Sequence, residues 1–175
     1  MSGTNECRET GFTLVELLVA LLIAATLVGS AVPGFRNLAQ QAALTAAANA
    51  LLLTMHQARS TAITTGVPAI ICLSDDAFRC LGVANRNARH WLLYQQPKPG
   101  AARSAIAQHQ VADAVRIQSN RRAIIFWPIV TAGTTTSVRV CPTGDLDEAR
   151  IVIVSRTGRP RVQRTTRQLA GCSRS

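Results

Sequence analysis

Residues 11–34, GFTLVELLVALLIAATLVGSAVPG, decide how this chain is built. From Phe12 to Val32 run 21 residues with one charge, Glu16. As a helix rising about 1.5 Å per residue the run is about 30 Å long, the thickness of a bilayer's hydrocarbon core. It reads as a membrane span. A secretory signal peptide would start with basic residues and end at an Ala-x-Ala cut. Here the preceding MSGTNECRETG has one Arg and two Glu, and the apolar run leads into more helix-forming sequence, so the span is expected to stay in the mature protein. Glu16 needs a reason, because an acid inside an apolar span costs about 2.5–3.5 kcal/mol on insertion scales.

Working outward, residues 35–65 are rich in Ala, Leu and Gln and free of Gly and Pro, with Phe35, Leu38, Ala42, Ala46, Leu53 and Ile63 near helical spacing. They predict an amphipathic continuation of the span, with Pro33 and Gly34 kinking or loosening the join. His56 on this helix reads as a packed or surface residue rather than a ligand. After Gly66 the pattern turns to short apolar or alternating runs at 67–73, 90–96, 114–119, 122–128, 134–142, 150–156 and 159–164, each punctuated by Gly, Pro, Asn or Asp. Residues 97–110 read as a surface loop with at most one short strand. One long helix followed only by strands predicts an α+β fold in which an antiparallel sheet packs on the exposed half of the helix. The segments are then 1–11 before the span, 12–34 in the membrane, 35–65 amphipathic, and 66–175 a β-rich domain.

Composition narrows the function. Nineteen basic residues against nine acidic ones give a net charge of +10, and 18 of the 19 are Arg, with Lys98 the only lysine. Planar, permanently ionised guanidinium groups suit phosphate, so a polyanionic partner is favoured. The few, scattered acids and three His make paired-carboxylate or multi-ligand metal chemistry hard to assemble, so no enzyme, cofactor or metal is expected. Asp145, Asp147 and Glu148 read as a solvated turn. Cys72, Cys80, Cys141 and Cys172 are an even set beyond the span, with no C-x-x-C spacing, and predict two disulfides outside the cytoplasm. Of three possible pairings, Cys72 with Cys80 and Cys141 with Cys172 is preferred. The first closes a short loop, and the second ties the tail to a strand.

The C-terminal end holds the other signal. No acid follows Glu148, yet Arg150, Arg156, Arg159, Arg161, Arg164, Arg167 and Arg174 fall within the last 26 residues. Thr157 and Gly158 separate two strand-like runs, as in a hairpin whose turn needs positive φ. Alternation then puts Arg159 and Arg161 on one face, and Pro160 limits the strand to a sheet edge. Trp91, Tyr94, Phe126 and Trp127 lie in apolar runs where core packing is expected. With no aromatic in the basic segment itself, backbone contact with duplex DNA is favoured over single-strand stacking. The place of Arg121 and Arg122 relative to the hairpin is not fixed by sequence.

Two resemblances organise these readings. Gly11, Phe12, Thr13, Leu14, Val15 and Glu16, with the apolar run and Pro33 behind them, resemble the processing site of type IV prepilins and type II secretion pseudopilins. The resemblance implies that residues 1–11 are a leader, that a prepilin peptidase cuts after Gly11, and that the new Phe12 amine is methylated. It also implies that Glu16 pairs with the amine of a neighbouring subunit, and that the chain waits in the inner membrane, its domain in the periplasm, before joining other pilin subunits in an extracellular filament. The leader departs from the family in leaning acidic. Gly158, Arg159, Pro160 and Arg161 resemble the G-R-x-R motif of the FimT branch of the GspH/FimT family, minor pilins that bind DNA during natural transformation. This implies a double-stranded DNA site at Arg156, Gly158, Arg159, Arg161 and Arg164. The alternative is a structural minor pseudopilin of the type II secretion system with no nucleic-acid partner.

Overall fold

The computed structural model describes residues 13–81, 87–129 and 133–172. One helix, α1 (Leu14–Thr65), is followed by eight strands: β1 (Ala69–Ser74), β2 (His90–Gln95), β3 (Ser104–Gln110), β4 (Val115–Ser119), β5 (Ile124–Phe126), β6 (Thr136–Pro142), β7 (Glu148–Val154) and β8 (Pro160–Thr166). A single short turn of helix, α2 (Arg167–Ala170), comes last. The chain divides into two compact units, with the boundary after Leu38.

In the first unit the helical backbone runs through Pro33 and Gly34 without a break, where the sequence predicted a kink or loosening. Its apolar side chains, among them Leu17, Leu21, Leu22 and Leu27, are more than half exposed, so this stretch is apolar without a protein core of its own. The helix is long and apolar enough to cross a membrane.

The second unit starts at Ala39. Here α1 buries Leu44, Ala47, Ala48, Leu51, Met55, Ala58 and Ala62, a stripe repeating every three or four residues. This corrects the expected face. Phe35 and Leu53 are 72% and 67% exposed, and Leu38 and Ile63 are exposed too. The helix is Ala-rich enough to carry two apolar stripes, and the sheets cover the one that holds Leu44, Leu51 and Met55. His56 is exposed, as its surface reading expected.

Two four-stranded sheets cover this stripe, one ordered β3-β2-β1-β5 and the other β4-β6-β7-β8. Every pairing is antiparallel. A bridge between Ala88 and Ile117 links the segment before β2 to β4. In the larger of two core clusters Trp91, Leu93, Phe126, Ile71, Ile117, Val138, Val140 and Val152 meet the helix, and Ile70, Cys72 and Tyr94 form the smaller one. Trp91 donates its indole N–H to Thr54 Oγ1 at 3.1 Å and stacks on His109 at 4.3 Å. Burial there holds the His109 pKa below its usual value, because the charged ring would lose solvation.

Two elements depart from expectation. Residues 104–110 form the seven-residue edge strand β3, longer than the one short strand the sequence allowed within 97–110. The tail forms α2, capped by Thr166 Oγ1 accepting from Leu169 N–H and closed by Gly171 at φ 68. This turn of helix lies on β6, β7 and β8 and brings Cys172 to Cys141. The disulfides are Cys72–Cys80 and Cys141–Cys172, the preferred pairing, closing separations of 8 and 31 residues.

Candidate nucleic-acid interface

The basic end is built on the β7–β8 hairpin. β7 supplies Val152 and Val154 to the core, with Ile151 and Ile153 on the other face. β8 pairs along its full length, from Glu148↔Thr166 to Val154↔Pro160. The turn is closed by Ser155 N–H donating to Arg159 O at 3.2 Å and Gly158 N–H donating to Ser155 O at 2.9 Å. Ser155 Oγ accepts from Arg159 N–H at 3.3 Å, fixing the base of the tip.

Gly158 serves the hairpin in two ways. Its φ of 71° is the left-handed conformation that completes a three-residue hairpin connection. It is also buried, because the segment before β6 crosses over it; a Cβ on Gly133 would fall 2.8 Å from Gly158 Cα. The glycine of the expected motif therefore shapes the tip rather than meeting a ligand by side chain.

The arginines divide sharply. Arg156, Arg159 and Arg161 are exposed, and none has an ion-pair partner among the described residues. Arg159 closes the turn and Arg161, the second residue of β8, stands across from Ile153 on the face away from the core; the two are two positions apart, about 6.6–7 Å along extended chain. Arg164 is also exposed but falls on the opposite parity, directly across from Arg150. Two members of the expected seven belong to the fold. Arg150 is only 4% exposed, pairs with Glu148 at 2.8 Å and donates to Thr45 Oγ1 of α1 at 3.4 Å. Arg167 is buried and donates to Gly144 O. Arg174 lies outside the described residues, as do Gly11 and Phe12 of the expected processing site.

Register also settles what the sequence left open. β4 ends, β6 begins, β7 ends and β8 begins at the same end of their sheet. Arg121 and Arg122, just after β4, therefore share that end with the hairpin tip, three strand spacings or about 14 Å away. Asp145, Asp147 and Glu148 stand at the other end, about 20 Å along β7. Arg139 was missed by the sequence reading. It alternates with the buried Val138 and Val140 and so lies on the sheet face that carries Arg161, a signal legible in TSVRVCP.

Trp127 is a correction. It is 46% exposed, whereas Trp91, Tyr94 and Phe126 are buried. β5 ends at Phe126, whose bridge to Gly133 leads to the hairpin turn, so the next residue leaves the core at the basic end. Glu16 sits in the first turn of α1, its N–H bonded to Thr13 Oγ1 at 3.3 Å.

Comparison with known proteins gives two family matches. Residues 47–158 match the family described as type II transport protein GspH, and residues 7–32 match the prokaryotic N-terminal methylation motif. No curated protein sequence matches the chain. Among solved structures, the type IV minor pilin FimU of Pseudomonas aeruginosa is similar with a TM-score of 0.53 and 17% identity, over 69% of this chain and 92% of that one. The minor pseudopilin EpsH of the type 2 secretion system of Vibrio cholerae is similar with a TM-score of 0.51 and 10% identity, over 70% of this chain and 96% of that one. At these identities the likeness is one of fold.

Proposed function

The chain belongs to the GspH family, and we propose that it is a minor type IV pilin that binds extracellular double-stranded DNA without sequence preference, for uptake in natural transformation. It is a pilin-type protein with an apolar helix and an N-terminal methylation motif, which fit a membrane anchor and assembly with other pilin subunits. In the proposed reading the chain is a binding and structural subunit, not an enzyme. Prepilin peptidase cuts after Gly11, and Glu16 meets the methylated Phe12 amine of a neighbour, neutralising two charges that would be costly in an apolar filament core. The exposed stripe of Phe35, Leu38 and Leu53 gives that core further apolar surface.

The observation that carries the DNA reading is the division among the tail arginines. Those needed by the fold are buried, Arg150 paired with Glu148 and Arg167 donating to Gly144 O, while Arg156, Arg159 and Arg161 are displayed at a tip with no ion-pair partner among the described residues. A guanidinium fork held clear of carboxylates binds phosphate oxygens in two parallel hydrogen bonds, and contacts confined to the backbone carry no base information. The test is DNA uptake by cells carrying Arg159→Gln with Arg161→Gln, with filament number and subunit incorporation measured beside it. Uptake should be lost with filaments intact; normal uptake would return the chain to a purely structural role. A structural role in a secretion machine is the second reading, favoured by the description of the matched family, and it assigns the tip no ligand.

A further inference from the structure

A second basic feature stands at the same end of the sheet and is no part of the hairpin. After β4 the chain turns through Asn120, Arg121, Arg122 and Ala123 into β5, and these residues with Ile125 and Thr134 line an open hollow of about 440 Å³. Its polar groups are arranged in one sense. Asn120 Oδ1 accepts from Thr136 Oγ1 at 2.7 Å and from Ser137 N–H at 3.0 Å, so the side-chain carbonyl is spent on β6 and the amide N–H₂ is left for the hollow. Thr134 Oγ1 is engaged with Ile125 N–H and O, at 3.2 and 3.3 Å. Arg121 is held by its backbone, N–H to Ser119 Oγ at 3.1 Å, and neither its guanidinium nor that of Arg122 has an acid partner among the described residues. No carboxylate among the described residues lines the hollow.

A fixed amide donor and two free guanidinium groups, with no acceptor competing for them, select an anion with several oxygens. We propose that this hollow is a second phosphate site, taking another phosphodiester of the same DNA that the hairpin holds. The proposal rests on the DNA reading for its ligand's source, but the hollow itself binds phosphate chemistry. The two sites are about 14 Å apart across the sheet end, farther than the pair Arg159 and Arg161 spans, so together they fix the direction of the nucleic acid on the domain. Contact at two separated points also resists rotation about either one, which a lone hairpin tip does not.

The experiment uses the full chain in detergent micelles and a 20-bp duplex of random sequence, with affinity measured by fluorescence anisotropy from 50 to 200 mM salt. Each phosphate contact adds about 0.9 to the slope of log K against log salt. Arg121→Gln with Arg122→Gln removes one phosphate contact and should make the slope shallower by about 0.9, and should do so again in the background of Arg159→Gln with Arg161→Gln. The thermal melt should stay unchanged, because these side chains are exposed. Inorganic pyrophosphate added to the parent should shift the Asn120 side-chain N–H₂ resonances saturably, and should not in the Arg121/Arg122 variant. A parent-like slope in that variant, with the hairpin variant weakened, overturns the second site and leaves the DNA reading standing. A weakened Arg121/Arg122 variant beside a parent-like hairpin variant keeps the hollow and removes the hairpin. Parent-like slopes in both overturn both.

Discussion

Replacing Arg150 by Gln should unfold the domain at a markedly lower temperature, although the residue lies in the most basic stretch of the chain. Arg150 is 4% exposed and meets Glu148 at 2.8 Å, Ala149 O at 3.3 Å and Thr45 Oγ1 at 3.4 Å, the last across to the helix. Breaking a buried ion pair by removing one partner costs about 3–5 kcal/mol. Glu148 is 29% exposed and regains water, which lowers the cost, and losing the like charge facing Arg164 across the strands returns a few tenths of a kcal/mol, roughly. The net is about 2–3 kcal/mol, which for a domain of this size lowers Tm by about 8–12 °C. The assay is thermal unfolding of the full chain in micelles, followed by the near-UV signal of the buried Trp91. Arg161→Gln serves as control and should melt within about 2 °C of the parent, since exposed charges contribute little. If Arg150→Gln melts like the parent, or Arg161→Gln falls as far, the division of the arginines into fold and surface is wrong.

Reducing or replacing Cys141 and Cys172 should cost about 3–4 kcal/mol by loop-closure entropy and free the tail beyond β8, which peptide mapping and denaturant unfolding will check. Gly158→Ala should destabilise by about 1–2 kcal/mol, since its positive φ strains any side chain; equilibrium urea unfolding decides, and an unchanged midpoint would contradict the tip geometry. Asp76 accepts hydrogen bonds from the backbone N–H of Arg79 and Phe78, which lower its pKa from the ordinary 3.8 to about 2. A depressed carboxyl pKa gives stability that is present above 3.8 and lost as pH falls through 2, so the Cys72–Cys80 loop should stay ordered at pH 3, and an Asp76 carboxyl resonance titrating near 4 would show the bonds absent.

The elements that sequence reading locates well are those with a strong local signal. The anchor is a long run with one charge, and the hairpin has Gly158 between two alternating strands. The helix face was misread because an Ala-rich helix offers two stripes at the same period, and only the sheets decide which is buried. β3, SAIAQHQ, is an edge strand of weak alternation, and its pairing with β2 comes from long-range register. Arg150 and Arg167 look like Arg156 and Arg159 in the sequence. What separates them is the helix under β7 and the turn at Gly144, both remote in the chain. Trp127 follows two core residues and shares their apolar run, yet β5 ends one residue earlier and leaves it outside. Arg121 and Arg122 join the basic end only through strand order.

The most direct test of the hairpin's role is the salt dependence of duplex binding by the full chain, parent against Arg159→Gln with Arg161→Gln. Two lost phosphate contacts should make the slope of log K against log salt shallower by about 1.8, with affinity lower at every salt concentration and the melting temperature unmoved. A variant that binds duplex DNA with the parent's slope and affinity would contradict the assignment of the tip as the DNA-binding surface.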